Sequence, residues 1–175
     1  MSESPLSKII DSFDPISLDE MDNVQLMNRV DTKFTFSKTV LLEILPELNE
    51  HFKILEVKGK RISTYESLYY DDDKMNFYID HHKKKLNRYK VRFRKYVDSD
   101  LTFLEVKHKH KGRTNKKRIK VDELYTKMDK SHEEFVSSTG VERMNLKPIL
   151  LNNFDRLTFV GRVFNERLTM DLNLS

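Results

Sequence analysis

Forty residues in the middle of this chain carry a charge that few folds can hold. Between His81 and Lys120 there are 16 Lys and Arg against Asp98, Asp100 and Glu105, a local surplus of +13. The remainder carries −9, so a whole-chain net charge of +4 conceals the block. A charge run is ordinarily a solvated face or tail. This one is interrupted by Leu86, Tyr89, Val91, Phe93, Tyr96, Leu104, Val106 and Ile119, residues for which a disordered tail has no use. The block is therefore expected to fold.

Its period is two. Arg88, Lys90, Arg92 and Arg94 alternate with Tyr89, Val91 and Phe93, which places cations on one face of a strand and apolar groups on the other. Glu105, Lys107 and Lys109 alternate with Leu104 and Val106; Lys116, Arg118 and Lys120 alternate with Ile119 and Val121. Turns at Asp98-Ser-Asp100 and Lys111-Gly112-Arg113 would join the three strands into a meander. Like charges directly across a sheet repel. An interleaved acid or a bound polyanion must therefore screen this face, and arginine forks suit phosphate because they are planar and bidentate.

The rest of the chain extends the pattern. Asn23 to Phe36 reads as a long strand carrying Arg29, Asp31 and Lys33 on one face. Ser37 caps a helix over Thr39–Asn49 that contains Pro46. Phe52–Val57 and Arg61–Tyr70 read as strands, and Asp71-Asp-Asp73 caps a short helix through Phe77 and Tyr78. A helix is expected over Asp129–Met144, with strands over Ile149–Phe159, carrying Arg156, and Arg162–Leu174, carrying Arg167. At 175 residues the chain can bury a real core. It has no cysteine, which excludes disulfides, thiol nucleophiles and Cys-ligated metal. No apolar run suits a membrane span and no secretory signal is visible, so a cytoplasmic protein is expected. No phosphate-loop or nucleophile-elbow motif is present. His108 and His110 form a His-x-His on the face opposite Lys107, without an evident third zinc ligand.

Strands whose polar faces all carry Lys and Arg cannot line the oily interior of an ordinary small barrel. The pattern predicts an α+β fold: an antiparallel β-barrel with a cationic lumen and helices packed on the outside.

Several segments also resemble one family. Arg29-Val-Asp31-Thr-Lys33-Phe34, Tyr69-Tyr70-Asp71, Tyr89-Lys-Val-Arg92-Phe-Arg94-Lys-Tyr96, Phe103-Leu-Glu105-Val-Lys107, Lys116-Lys-Arg118, Arg156 and Glu166-Arg167-Leu-Thr-Met-Asp171 are similar, in order, to motifs of the vacuolar transporter chaperone polyphosphate polymerase domain. Phe13-Asp-Pro-Ile-Ser-Leu-Asp-Glu looks like the lead-in of its bacterial members, and the resemblance implies a triphosphate tunnel metalloenzyme. The resemblance runs from about Phe13 to Asn173 and implies a lead-in segment at 1–22 and a tunnel domain at 23–175. The family pattern continues with a further Glu-bearing strand, so the domain is expected to lack its last strand.

The resemblance implies transfer of the ATP γ-phosphoryl group onto polyphosphate, with Mg²⁺ or Mn²⁺ as cofactor. By position it assigns Lys33, Arg92, Arg94 and Lys107 to catalysis, and Lys116, Arg118, Arg156 and Arg167 to phosphate binding. Asp31 and Glu105 are the acids available on these faces for a metal, and each also suits pairing with neighbouring cations. A non-catalytic polyphosphate or inositol-phosphate sensor and a triphosphatase remain alternatives. RNA or single-stranded DNA binding is disfavoured because Tyr89 and Phe93 face away from Arg92 and Arg94.

Overall fold

The computed structural model describes residues 4–22, 32–143, 145–163 and 165–175. Its strands form one sheet in the order β1 (Pro15–Ile16), β2 (Phe52–Leu55), β7 (Lys147–Gly161), β3 (Ser63–Asp71), β4 (Asn87–Tyr96), β5 (Leu101–His110) and β6 (Arg113–Val121), with β8 (Arg167–Leu172) also pairing β7. β1 pairs β2 in parallel, and β2 with β7, β3 with β4, β4 with β5, β5 with β6 and β7 with β8 pair antiparallel. The fold is thus α+β around an antiparallel sheet, as the alternation predicts. Among the described residues no pairing joins β1 to β6. No helix of the described residues is long and apolar enough to cross a membrane.

The chain divides into two compact units. The first contains residues 1–63 and 155–172. Its opening helix α1 (Pro5–Asp11) starts with Ser4 as N-cap, whose hydroxyl accepts from the Ser7 amide, and with Pro at the first turn. Arg61 holds the end of this helix: its Nη1 donates to the Ile10 and Phe13 carbonyls at 2.8 and 3.1 Å, and its Nε to Glu56 at 2.9 Å. Ile10 and Phe13 then pack with Leu41 and Leu45 of α3 (Lys38–Asn49), Ile54, Leu157, Phe159 and Met170. The short helix α2 (Leu18–Asp22) follows β1. Pro46 does not end α3. The carbonyl it leaves without an amide belongs to Leu42, whose residue is exposed, so water can serve it.

The second unit contains residues 64–154 and 173–175. It is built on β3 (Ser63–Asp71), β4 (Asn87–Tyr96), β5 (Leu101–His110) and β6 (Arg113–Val121). The β5–β6 loop is the two residues Lys111 and Gly112, both at positive φ (46° and 85°), as a hairpin turn matched to right-handed strand twist requires. Helices α4 (Asn76–His82) and α5 (Lys130–Ser138) complete the unit. Val136 of α5 and Phe77 of α4 share the core with Tyr70, Val91, Phe93, Leu104 and Val106. The opposite sheet face, with every cation of the alternation, carries none of this apolar packing.

Several predicted elements end differently. Residues 23–31 of the predicted first strand lie outside the described residues, and 32–36 form no regular element. The helix expected over Asp129–Met144 spans only Lys130–Ser138 and stops ahead of Gly140, which is at φ 92°. The strand expected over Arg162–Leu174 is β8 (Arg167–Leu172), while that expected over Ile149–Phe159 lengthens to β7 (Lys147–Gly161). The aspartates before α4 cap it at a distance: Asp71 accepts from the Phe77 and Tyr78 amides, both at 2.9 Å.

Tyr70 offers a test of the packing in the second unit. Its hydroxyl donates to the Tyr125 carbonyl, and burial pushes its phenol up to about 12. A folded-state value above the unfolded one contributes stability that is intact below pH 10 and lost as pH rises through 12. Urea denaturation should therefore show a fall of about 2–3 kcal/mol from this group across that window. Tyr70→Phe should have a correspondingly shallower alkaline slope.

Candidate functional site

Strand register turns the alternation into rows. On one face of the second unit, Tyr69, Arg92, Glu105 and Arg118 lie directly opposite one another across β3, β4, β5 and β6. The next row toward the β5–β6 hairpin is Lys90, Lys107 and Lys116. On the other side lies the row Ser67, Arg94, Phe103 and Lys120. Glu105 is the only acid in β4, β5 and β6, and it sits between two arginines.

Glu105 is 2% exposed. Its Oε2 accepts from Arg92 Nε and Nη2 at 3.0 and 2.7 Å, and its Oε1 lies 2.5 Å from Lys116 Nζ. Burial alone would raise its carboxyl, but Arg92 and Lys116 outweigh that and hold it below the usual carboxylate range. Burial, with Arg92 and Arg118 close by, lowers Lys116. A charge taken out of water survives when its partners satisfy it, and here one carboxylate serves two strands of cations.

Arg92 donates a third hydrogen bond, from Nη1 to the Tyr69 hydroxyl at 2.9 Å. A guanidinium has five N–H groups, so these bonds leave one on Nη1 and one on Nη2 for an oxyanion. Arg94 is held differently. It is buried, its Nε donates to Ser67 Oγ at 3.0 Å, and its guanidinium lies 5.3 and 5.5 Å from the Tyr65 and Phe154 rings. Those two rings stack at 5.1 Å. Arg118 rests 4.5 Å from the Phe103 ring. Tyr89 and Phe93 do lie on the opposite face, as expected, but the Tyr65, Phe103 and Phe154 rings share the cationic one. They serve there as cation–π platforms.

Of the residues singled out from sequence, the structure brings Arg92, Arg94, Glu105, Lys107, Lys116 and Arg118 onto this face. Arg156 and Arg167 belong to the first unit. There Arg156 faces Asp171 in register and donates to both its oxygens, at 2.6 and 2.8 Å. Arg167 lies opposite Val160 on β8. Lys33, also in the first unit, is exposed and outside any regular element. Asp31 lies outside the described residues. His108 and His110 are on the other face, where the His108 ring stacks on Tyr89 at 4.1 Å and bonds Asn87. Sequence reasoning missed Tyr65, Ser67, Tyr69, Phe103 and Phe154 as parts of the site. The period of β3 puts Tyr65, Ser67 and Tyr69 on a single face, but only pairing shows that this face meets Arg92 and Arg94.

A divalent metal needs several oxygen donors at one point. Both oxygens of Glu105 face cations, and no group of three His, Asp or Glu side chains that could hold a metal occurs among the described residues. Asp31, the other acid expected to hold Mg²⁺ or Mn²⁺, lies outside the described residues.

Replacing Glu105 tests this arrangement. Glu105→Gln leaves Arg92 and Lys116 without their shared charge and should cost about 3 kcal/mol or more in chemical denaturation. A carboxyl held low in the folded state contributes stability above its unfolded value that fades as pH falls through the folded one. The acid limb of the wild-type stability profile should therefore flatten in the variant. An added polyanion should recover part of the lost stability.

Two comparisons with known proteins bear on this site. None of the curated proteins searched matches the chain. The family model described as the VTC domain matches residues 28–175, a span that holds every row of the cationic face. The chain belongs to the VTC domain family.

Proposed function

We propose that the cationic face binds phosphate chains, and that the protein is a polyphosphate polymerase-type phosphotransferase taking the γ-phosphoryl group of ATP. Family membership supports a polyphosphate-related role. The observation that carries the reading is the row Arg92–Glu105–Arg118 beside Lys90–Lys107–Lys116. Three adjacent strands bring five cations and one acid onto a single face, the pattern of side chains that a chain of phosphates suits.

Phosphoryl transfer asks a protein chiefly to position oxygens in line and to neutralise developing charge. Arg92 would offer its remaining Nη1 and Nη2 protons as a fork, held in orientation by Glu105 and Tyr69. Arg94, locked by Ser67 and the Tyr65 and Phe154 rings, would present a second fork without side-chain entropy to lose. Lys107 and Lys116, on less buried positions, would hold the chain as point charges. No side-chain nucleophile is required.

A binding protein without turnover is the second reading, favoured by one observation: both oxygens of the site's acid lie against cations. Incubation with ATP and Mn²⁺, followed by gel analysis, separates the two. Lengthening polyphosphate that is abolished in Arg92→Ala supports the polymerase. Release of inorganic phosphate alone makes the protein a triphosphatase, and tight polyphosphate binding with no consumption of ATP makes it a sensor. RNA binding equal to that of polyphosphate of matched charge would overturn the phosphate-chain reading altogether.

A further inference from the structure

Tyr69 occupies the β3 end of the central row, opposite Arg92. Its hydroxyl oxygen accepts from Arg92 Nη1 at 2.9 Å, and its ring lies 5.6 Å from the same guanidinium. A phenol can accept and donate at once. With its lone pair given to Arg92, its proton must point elsewhere, and no described residue accepts it. The residue is only half-buried and shares the sheet face of Arg92. A partly buried donor without an acceptor is costly, and around this one stand Arg92, Arg94 and Lys90.

We propose that Tyr69 is a phosphate-contacting residue of this site, its hydroxyl donating to a non-bridging phosphate oxygen held by the Arg92 fork. The contact rests on the phosphate-chain reading above and adds a neutral donor to phosphate contacts otherwise made by Arg and Lys. The acidity of the phenol supports it. Burial would raise its pKa, yet Arg92, Arg94 and Lys90 together hold it below its ordinary value, and a more acidic phenol is a stronger donor. Tyr70 next to it cannot play this part, because it is buried in the core and donates to the Tyr125 carbonyl.

Calorimetric titration with inorganic tripolyphosphate at fixed salt tests the assignment in four proteins: wild type, Tyr69→Phe, Arg92→Lys and the double variant. Tyr69→Phe keeps the ring, and thermal melts report whether each variant is folded. A lost hydrogen bond to a charged oxygen should weaken binding about tenfold or more. The loss should persist in the Arg92→Lys background, because the hydroxyl contacts the anion itself. Unchanged affinity in Tyr69→Phe would overturn the proposal. So would a loss that disappears in the Arg92→Lys background, which would make Tyr69 a support for Arg92 alone. If wild type takes up no tripolyphosphate, the phosphate-chain reading fails with it; if wild type binds and only the Tyr69 effect is missing, that reading stands.

Discussion

One carboxylate makes the cationic sheet possible. Lined up across β4, β5 and β6, the arginines and lysines would push the strands apart. Glu105 is placed where it opposes Arg92 on one neighbour and Arg118 on the other, and it reaches diagonally to Lys116. Its burial makes each attraction stronger than it would be in water, and makes its loss correspondingly harder to bear. The remaining cations are held by softer means: Arg94 by a serine hydroxyl and two rings, Arg118 by a phenylalanine face. The face is thus oriented by its own side chains, and its three strands carry more cations than acids.

This surplus has an energetic meaning. A surface that is internally satisfied gains little from binding an ion, whereas one with unspent N–H donors and excess charge gains charge-assisted bonds at little reorganisation cost. Arg92 is anchored on three donors and has two remaining. The core on the opposite side, from Val91 through Phe93, Leu104 and Val106, keeps the strands from yielding when charge is added or removed. The apolar core and the row of cations therefore lie on opposite faces of the same four strands.

Much of this was readable from the chain itself. The alternation of Arg88 to Lys95 and its two successors fixes which side chains share a face, because the period of a strand is a local property. Glu105 could be picked out as the acid on that face. What could not be read was register. Nothing local to Ser63–Asp71 states that Tyr69 meets Arg92 or that Ser67 meets Arg94; that is decided by non-local pairing. The same holds for Phe154, which reaches Arg94 from β7. Local rules also overran the helix after Asp129, since the positions beyond Ser138 retain helix-compatible residues up to Gly140 and only the left-handed backbone there stops it. In the first unit, the bidentate pairing of Arg156 with Asp171 comes from cross-strand register as well.

The tripeptide Tyr69-Tyr70-Asp71 condenses three duties into successive positions. One side chain faces the cations, the next enters the core, and the third reaches the amides at the start of α4. Because neighbouring strand residues point to opposite faces, inserting or deleting one residue upstream within β3 would exchange these assignments together. The core would receive a hydroxyl meant for the guanidinium, and the helix would lose its carboxylate. This stretch can therefore vary by substitution but hardly by length, and in related chains changes in spacing should collect in the loops around it.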